Sequence, residues 1–186
     1  MSDKTMTRRR RRVPTTLLLT CAAIGVAGGL LLAPANWLST ALLTLGMPVV
    51  SVAITGLWIL PSVIALRLLQ KPLVGLLVGI IAGLVIVPFS GYGFVSVYTN
   101  ASWALFAELP FLIVLWRFWK TWQHYAGATV LGLVYPLFAW AFFDMGVQPV
   151  WAQILFFVST LASCVGATAL GILIADRLRA AGVGRR

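Results

Sequence analysis

Long apolar runs, separated by short clusters of charged residues, dominate the chain. No charged residue occurs within 13–66, 72–107, 121–143 or 145–175. A membrane-spanning helix needs about 20 apolar residues, and turns rich in Pro and Gly divide each of the first two runs in two. The pattern therefore predicts six spanning helices, at about 15–33, 48–68, 72–88, 96–117, 124–143 and 150–176. Porin-like alternation is absent, so an all-α bundle is favoured over a barrel.

Composition supports the same architecture. Of the 186 residues, 61% are hydrophobic and only 10% are charged, whereas soluble domains carry about 25% charged residues. Four acidic residues and one His cannot supply a water-soluble surface for a chain of this size. The sequence therefore predicts an integral membrane protein embedded in a lipid bilayer.

The positions of the basic residues predict the orientation. All 14 Lys and Arg residues fall in the two termini, the second loop or the fourth loop, and the other three loops contain none. The positive-inside rule then places both termini in the cytoplasm and the protein in the cell membrane (plasma or inner membrane). Basic tails at 1–12 and 180–186 flank a six-helix domain at 13–179. The net charge of +10 thus reflects topology, and no nucleic-acid partner is expected.

A second interpretation concerns the first apolar run. Arg8 to Arg12, the apolar residues after them and Ala33-Pro34-Ala35 resemble the three regions of a secretory signal peptide. Cleavage after Ala35 would leave five spans and an external N-terminus, and the same charge distribution would still fit.

The side chains of enzyme active sites are scarce. The chain has no Gly-x-x-x-x-Gly-Lys-Ser/Thr loop, so no ATP site of that type is expected. Its only His is His124, and its two cysteines, Cys21 and Cys164, lie apart in apolar runs. These residues do not supply a metal-ligand set. We expect no enzymatic activity, no cofactor and no metal site.

Glu108 is the exception, because it lies inside the fourth predicted span. Acidic residues within a membrane usually face a cavity, a partner or a substrate. Pro110 leaves the carbonyl of Phe106 without its helical donor, one turn from that carboxyl group. Together with Tyr98, Asn100 and Trp103, Glu108 would suit a cationic or amino-bearing aromatic ligand, since Trp and Tyr rings attract cations. The alternative is a protonated Glu hydrogen-bonded within the bundle, or a helix placed less deeply.

Several short motifs indicate a family. Gly56-Leu57-Trp58-Ile59-Leu60-Pro61, a basic turn ending in Lys71-Pro72, and Glu108 further along resemble the YkoE-type substrate-binding (S) component of energy-coupling factor (ECF) transporters. The resemblance runs from about residue 50 to the Arg177–Arg179 tail. The chain differs from that family before Glu108, where the bulky residues Trp103, Leu105 and Phe106 replace Gln and small Gly residues. This difference leaves the identity of the ligand open.

The resemblance implies a six-helix subunit that captures thiamine or its hydroxymethylpyrimidine precursor from outside, with Trp58 added to the binding residues. A coupling transmembrane subunit and ATPase subunits would supply the energy. Docking on the coupling subunit is implied for the small residues Ala23, Ala27, Gly25 and Gly29 of the first span, although internal packing would explain them equally well. Two other functions remain open: an S component for another vitamin, and a membrane scaffold or assembly subunit that does not transport.

Overall fold

The computed structural model describes residues 14–184, and all regular structure in that range is helical. The α-helices are α1 (Thr15–Thr44), α2 (Pro48–Val52), α3 (Leu60–Leu69), α4 (Val74–Ile86), α5 (Val95–Ile113), α6 (Thr121–Ala139) and α7 (Val150–Ala180). Short 3-10 segments lie at Thr55–Trp58, Val87–Phe89 and Met145–Val147. The predicted all-α fold is thereby confirmed. The basic residues of the predicted tails at 4, 8–12, 185 and 186 lie outside the described residues.

The second predicted span is a broken helix, in which α2, the segment Thr55–Trp58 and α3 follow one another. Gly56 lies at the break and packs directly on α7, where a side chain would not fit. A Cβ atom at Gly56 would lie 2.1 Å from the carbonyl oxygen of Ser163, and the Gly56 amide donates a 2.8 Å hydrogen bond to Ser163 Oγ. The same short helical segment, Thr55–Trp58, ends with Trp58.

Helix α1 continues well beyond its predicted end near residue 33. Pro34 lies inside it and cannot donate to the carbonyl of Leu30, but one missing hydrogen bond is tolerated when neighbouring helices hold the chain in place. Gly28 packs against Pro61 of α3, and Ser39 is hydrogen-bonded to Ser51 of α2 at 2.8 Å. Packing on both sides of Pro34 thus keeps α1 continuous.

Helix α5 ends earlier than the predicted residue 117. Leu115 and Trp116 both adopt left-handed backbone conformations, with φ of 51° and 53°, and these turn the chain towards α6. Helix α6 then begins at Thr121, three residues before its predicted start. Gln123 Oε1 accepts a 2.7 Å hydrogen bond from the amide of Lys120 there, which satisfies a donor at the start of the helix.

Polar contacts join the helix ends that carry the described basic residues. Arg67 of α3 makes a two-pronged ion pair with Asp176 of α7, at 2.9 and 3.1 Å, and donates to Thr121 of α6 at 3.2 Å. Arg179 donates to the carbonyl of Leu68 at 3.3 Å. We call this end of the bundle, with residues 67–71, 117–121 and 176–179, the basic end. The structure therefore brings together the loops that the charge pattern assigned to one side.

The outer surface of the helices is apolar. Three segments within residues 14–184 are long and apolar enough to cross a membrane, namely Thr15–Thr44, Pro48–Leu69 and Val150–Ala180, and Val74–Phe89 is a shorter apolar segment. Helices α5 and α6 contain more polar residues, yet large apolar side chains such as Ile113 and Phe138 are exposed on their outer faces. Such an extended apolar exterior is typical of a protein surrounded by lipid.

Candidate functional site

A cavity of about 340 Å³ opens at the end of the bundle opposite the basic end. It lies between the second half of α1, the Thr55–Trp58 segment, the first half of α5 and the end of α6. Its size is at the lower end of the range of small-molecule sites. Its lining residues are Asn36, Ser39, Thr40, Leu43, Thr55, Trp58, Ile86, Tyr92, Val95, Ser96, Thr99, Asn100, Trp103, Tyr135, Phe142 and Phe143. None of these side chains is acidic or basic.

Aromatic rings form much of the cavity wall. Trp103 of α5 and Tyr135 of α6 have ring centroids 4.7 Å apart, with their planes inclined by 49°. Trp58, from the break between α2 and α3, adds a second indole. Aromatic faces carry negative quadrupole charge and offer large flat surfaces, so this wall suits a flat ring and tolerates positive charge on it.

Asn100 is the most buried amide of the cavity lining, with 2% of its surface exposed. Its Nδ2 donates a 2.8 Å hydrogen bond to the carbonyl oxygen of Ser96, one turn earlier on α5. Within residues 14–184 its Oδ1 has no hydrogen-bond partner. Gly83 lets α4 pack closely against α5 at this residue, because a Cβ atom at Gly83 would lie 3.2 Å from Asn100 Cβ.

The loop between α4 and α5 borders the cavity at Tyr92, which is half exposed. Trp37 Nε1 of α1 donates a 2.8 Å hydrogen bond to the carbonyl of Phe89. Ser96 Oγ donates to Ser90 Oγ at 2.9 Å. These two bonds fasten the loop to α1 and α5 beside the opening.

The structure places three of the five predicted substrate-binding residues, Trp58, Asn100 and Trp103, in the cavity lining. Tyr98 is not among them. It is 77% exposed on the outer face of α5, because its neighbours Thr99 and Asn100 occupy the face that turns inwards. Tyr135, for which no sequence pattern indicated a role, lies beside Trp103 instead.

Glu108 does not line the cavity either, although its place within a predicted span suggested a position beside the ligand. Its carboxyl group accepts hydrogen bonds from the amides of Leu73 and Leu76 at the start of α4, and from Trp116 Nε1 at 3.1 Å. Leu76 and Ile86, the α4 residue in the cavity lining, lie about 15 Å apart along the helix axis at the usual helical rise. Glu108 therefore makes its hydrogen bonds near the basic end of the bundle.

The contacts of Glu108 explain why that position needs a carboxyl group. Leu73 and Trp116 have φ of 62° and 53°, a conformation that is costly for large side chains. One buried carboxyl group, only 1% exposed, ties both of these turns to α5. We call this arrangement of Glu108, Leu73, Leu76 and Trp116 the Glu108 clasp.

The predicted docking residues of α1 divide into two faces. Gly25 and Gly29 are buried, and a Cβ atom on them would lie 2.7 Å from Ile81 and 2.6 Å from Val85 of α4. The structure thus places these two glycines in the internal packing of α1 against α4, the alternative that the sequence left open. Ala23 and Ala27 are exposed on the outer face of α1.

Metal-binding side chains are dispersed. Among residues 14–184, no group of three or more His, Cys, Asp or Glu side chains is arranged to hold a metal ion. His124 is buried, with 3% exposed, and packs edge-on against Phe111 at 4.8 Å. Cys21 and Cys164 are buried and free, as expected for small packing residues.

Comparisons with known proteins give two matches of different kinds. A family model described as "ABC-type cobalt transport system, permease component" matches residues 17–134. A crystal structure described as "an S-component of ECF transporter" has a similar fold, with a TM-score of 0.80 and 20% sequence identity. The alignment covers 92% of this chain and 88% of that chain. The comparison with curated proteins gave no match.

Proposed function

Because the chain belongs to the family of ABC-type cobalt transport system permease components, we propose that it is the substrate-binding subunit of an ATP-driven importer. It is an integral membrane protein with the fold of an ECF transporter S component. In the proposed function it captures a small organic molecule and does not act as an enzyme. Its place is the cell membrane.

The cavity is the observation that carries this proposal. A scaffold protein has no need for a lined cavity of about 340 Å³, whereas a capture subunit must hold its cargo before release. The cavity lining combines six aromatic residues, among them Trp58, Trp103 and Tyr135, with neutral polar groups. That combination is typical of sites for small organic ligands.

Thiamine or its hydroxymethylpyrimidine precursor is the proposed ligand. Both carry a flat aminopyrimidine ring, and thiamine adds a cationic thiazolium ring that Trp and Tyr faces attract. The family description names cobalt, but a bare cobalt ion prefers imidazole, thiolate or carboxylate ligands. The cavity lining contains none of these side chains, so its chemistry favours an organic ligand.

Energy for uptake is assigned to partner subunits. The sequence has no Walker-type ATP loop, and the buried carboxyl group of Glu108 is held in the Glu108 clasp, away from the cavity. We therefore propose a coupling transmembrane subunit with ATPase subunits as partners. The exposed small residues Ala23 and Ala27 are the proposed contact with the coupling subunit, since small side chains let helices approach closely within a bilayer.

The proposed orientation places the basic end in the cytoplasm and the cavity towards the outside. Single cysteines introduced at Gly91 and Gly146 should react with a membrane-impermeant thiol reagent on intact cells, and cysteines at Gln70 and Lys120 should react only after lysis. Background labelling should be low because Cys21 and Cys164 are buried. The opposite labelling pattern would reverse the orientation.

Ligand binding by the purified protein tests the proposed function. We expect thiamine or hydroxymethylpyrimidine to bind saturably in calorimetry and to raise the thermal stability of the protein. At a free concentration of 100 times Kd, the gain in stability should be about 2.7 kcal/mol. Cobalt ions in the same titration should give no saturable binding.

Two variants with the same new side chain show whether the cavity is the binding site. Thr99→Trp should fill the cavity, because Thr99 lines it, and should weaken binding at least about tenfold. Tyr98→Trp replaces the neighbouring residue on the outer face and should leave binding unchanged. Equal affinity in both variants would place the site elsewhere, and saturable binding of cobalt alone would replace the proposed substrate with the metal ion.

A further inference from the structure

The protons of several polar groups around the cavity are already used within the protein. Thr40 Oγ1 donates to the carbonyl of Asn36 at 2.9 Å, and Thr99 Oγ1 donates to the carbonyl of Val95 at 2.8 Å. Ser96 Oγ donates to Ser90 Oγ at 2.9 Å. A hydroxyl group has one proton and two lone pairs. These three side chains therefore have only lone pairs left for a ligand.

Asn100 also donates within the protein and keeps an acceptor atom free. Its hydrogen bond goes to a backbone carbonyl, that of Ser96, and a carbonyl oxygen accepts but cannot donate. The atom that faces Ser96 must therefore be Nδ2, which leaves Oδ1 as the free atom. Asn100 is 2% exposed, and its Oδ1 has no partner within the described residues. A buried acceptor without a partner is unfavourable, so a hydrogen-bond donor on a bound ligand would stabilise this oxygen.

We propose that Asn100 Oδ1 accepts the N–H of an amino group attached to a flat ring in the cavity. This inference rests on the proposed function and specifies how the same cavity recognises its ligand. The acceptor is a neutral amide oxygen, so it recognises an uncharged amino group without a buried ion pair. Trp103 lies one helical turn from Asn100 on α5 and lines the same cavity, where its face can hold the ring.

The inference also explains the different places of the two predicted polar residues. The sequence suggests Glu108 as the acceptor for an amino group of the ligand. In the structure, however, its oxygens accept hydrogen bonds from the amides of Leu73 and Leu76 and from the indole of Trp116. Asn100 lies two helical turns earlier on α5 and has the free acceptor instead. The proposed acceptor for the amino group is therefore the side-chain amide of Asn100 and not the carboxyl group of Glu108.

The test compares two ligands on native protein and on two variants. The probes are 4-amino-5-hydroxymethyl-2-methylpyrimidine and its analogue with a methyl group in place of the amino group. Native protein should bind the amino compound at least about tenfold more tightly. Asn100→Leu should remove that preference, because the side chain keeps its size and loses its acceptor. Ser102→Ala is the matched control, since it removes another side-chain bond to the α5 backbone without reaching the cavity, and it should keep the preference.

Each other outcome overturns a defined part of the account. Equal binding of both compounds by native protein would overturn the inference and leave the proposed function standing. So would a preference that survives in Asn100→Leu, or one that Ser102→Ala loses to the same extent. Binding of neither compound by native protein would overturn the inference together with the proposed ligand. If Asn100→Leu does not fold, the same comparison is made on Asn100→Ala, which also lacks the acceptor.

Discussion

Replacing Glu108 with Ala is expected to lower the free energy of unfolding by about 3 kcal/mol, because the change leaves buried donors without their acceptor. The amides of Leu73 and Leu76 and the indole N–H of Trp116 would lose their shared partner. The two left-handed turns at Leu73 and Trp116 would lose their common support. Equilibrium unfolding in mixed micelles measures the loss, with Glu108→Gln expected to be milder because it keeps one acceptor oxygen.

Asp144→Asn is the matched control for the Glu108 clasp. Asp144 is an exposed acid at the cavity end of the bundle, with a left-handed φ of 47° that Asn also tolerates. Removing its charge should therefore change stability by less than about 0.5 kcal/mol. Ligand affinity of the folded Glu108→Gln protein should equal that of native protein, since Glu108 does not line the cavity. A Glu108 variant of native stability that no longer binds ligand would contradict the clasp and return Glu108 to the binding site.

The second large effect concerns coupling to the partner subunits. The double change Ala23→Leu plus Ala27→Leu should reduce uptake in cells at least about tenfold while ligand binding by the purified protein stays unchanged. Both residues are exposed on α1, whereas Gly25 and Gly29 pack inwards against α4. Larger side chains at 23 and 27 would therefore push away a partner helix without disturbing the bundle. Labelled thiamine measures uptake and calorimetry measures binding.

The matched control uses small exposed residues on another helix. Ala162 and Ala169 of α7 are exposed, and changing both to Leu adds the same bulk to the lipid-facing surface. Uptake should persist in this control. If the α7 pair abolishes uptake and the α1 pair does not, the coupling surface lies on α7 and the assignment to Ala23 and Ala27 is wrong.

The sequence predicted the all-helical fold well because its signal is simple. Charge-free runs of sufficient length give the spans, and the loops assigned to one side by charge do meet through Arg67, Asp176 and Thr121. Helix ends were harder to predict. Pro34 suggested an end for α1, but packing against α2 and α3 continues the helix to Thr44. Tertiary contacts, which a linear pattern does not contain, decided that point.

The surroundings of Glu108 differ from the expected ones for a specific reason. A helix over 96–117 would put this residue near the middle of the membrane, whereas α5 ends at Ile113. Leu115 and Trp116 end it through left-handed conformations that neither residue type favours. The residue types at these two positions do not indicate a turn, so the position of Glu108 close to the end of α5 was not predictable. The bond from Trp116 to Glu108 becomes visible only after folding.

Part of the cavity did have a sequence signal. Asn36, Ser39, Thr40 and Leu43 follow the i, i+3, i+4, i+7 spacing of one helix face, and all four line the cavity. The predicted end of the first helix near residue 33 concealed this face. Tyr135 had no comparable signal, because one aromatic residue in an apolar helix does not indicate which way it points.

Uptake by native protein with and without its proposed partners tests the central claim most directly. Labelled thiamine or hydroxymethylpyrimidine should enter cells of a host without its own system only when a coupling subunit and ATPase subunits are produced together with this chain. The chain alone should bind the labelled compound and not accumulate it. Accumulation by the chain alone would identify a self-sufficient carrier and contradict the account, and so would failure to bind or transport in every combination.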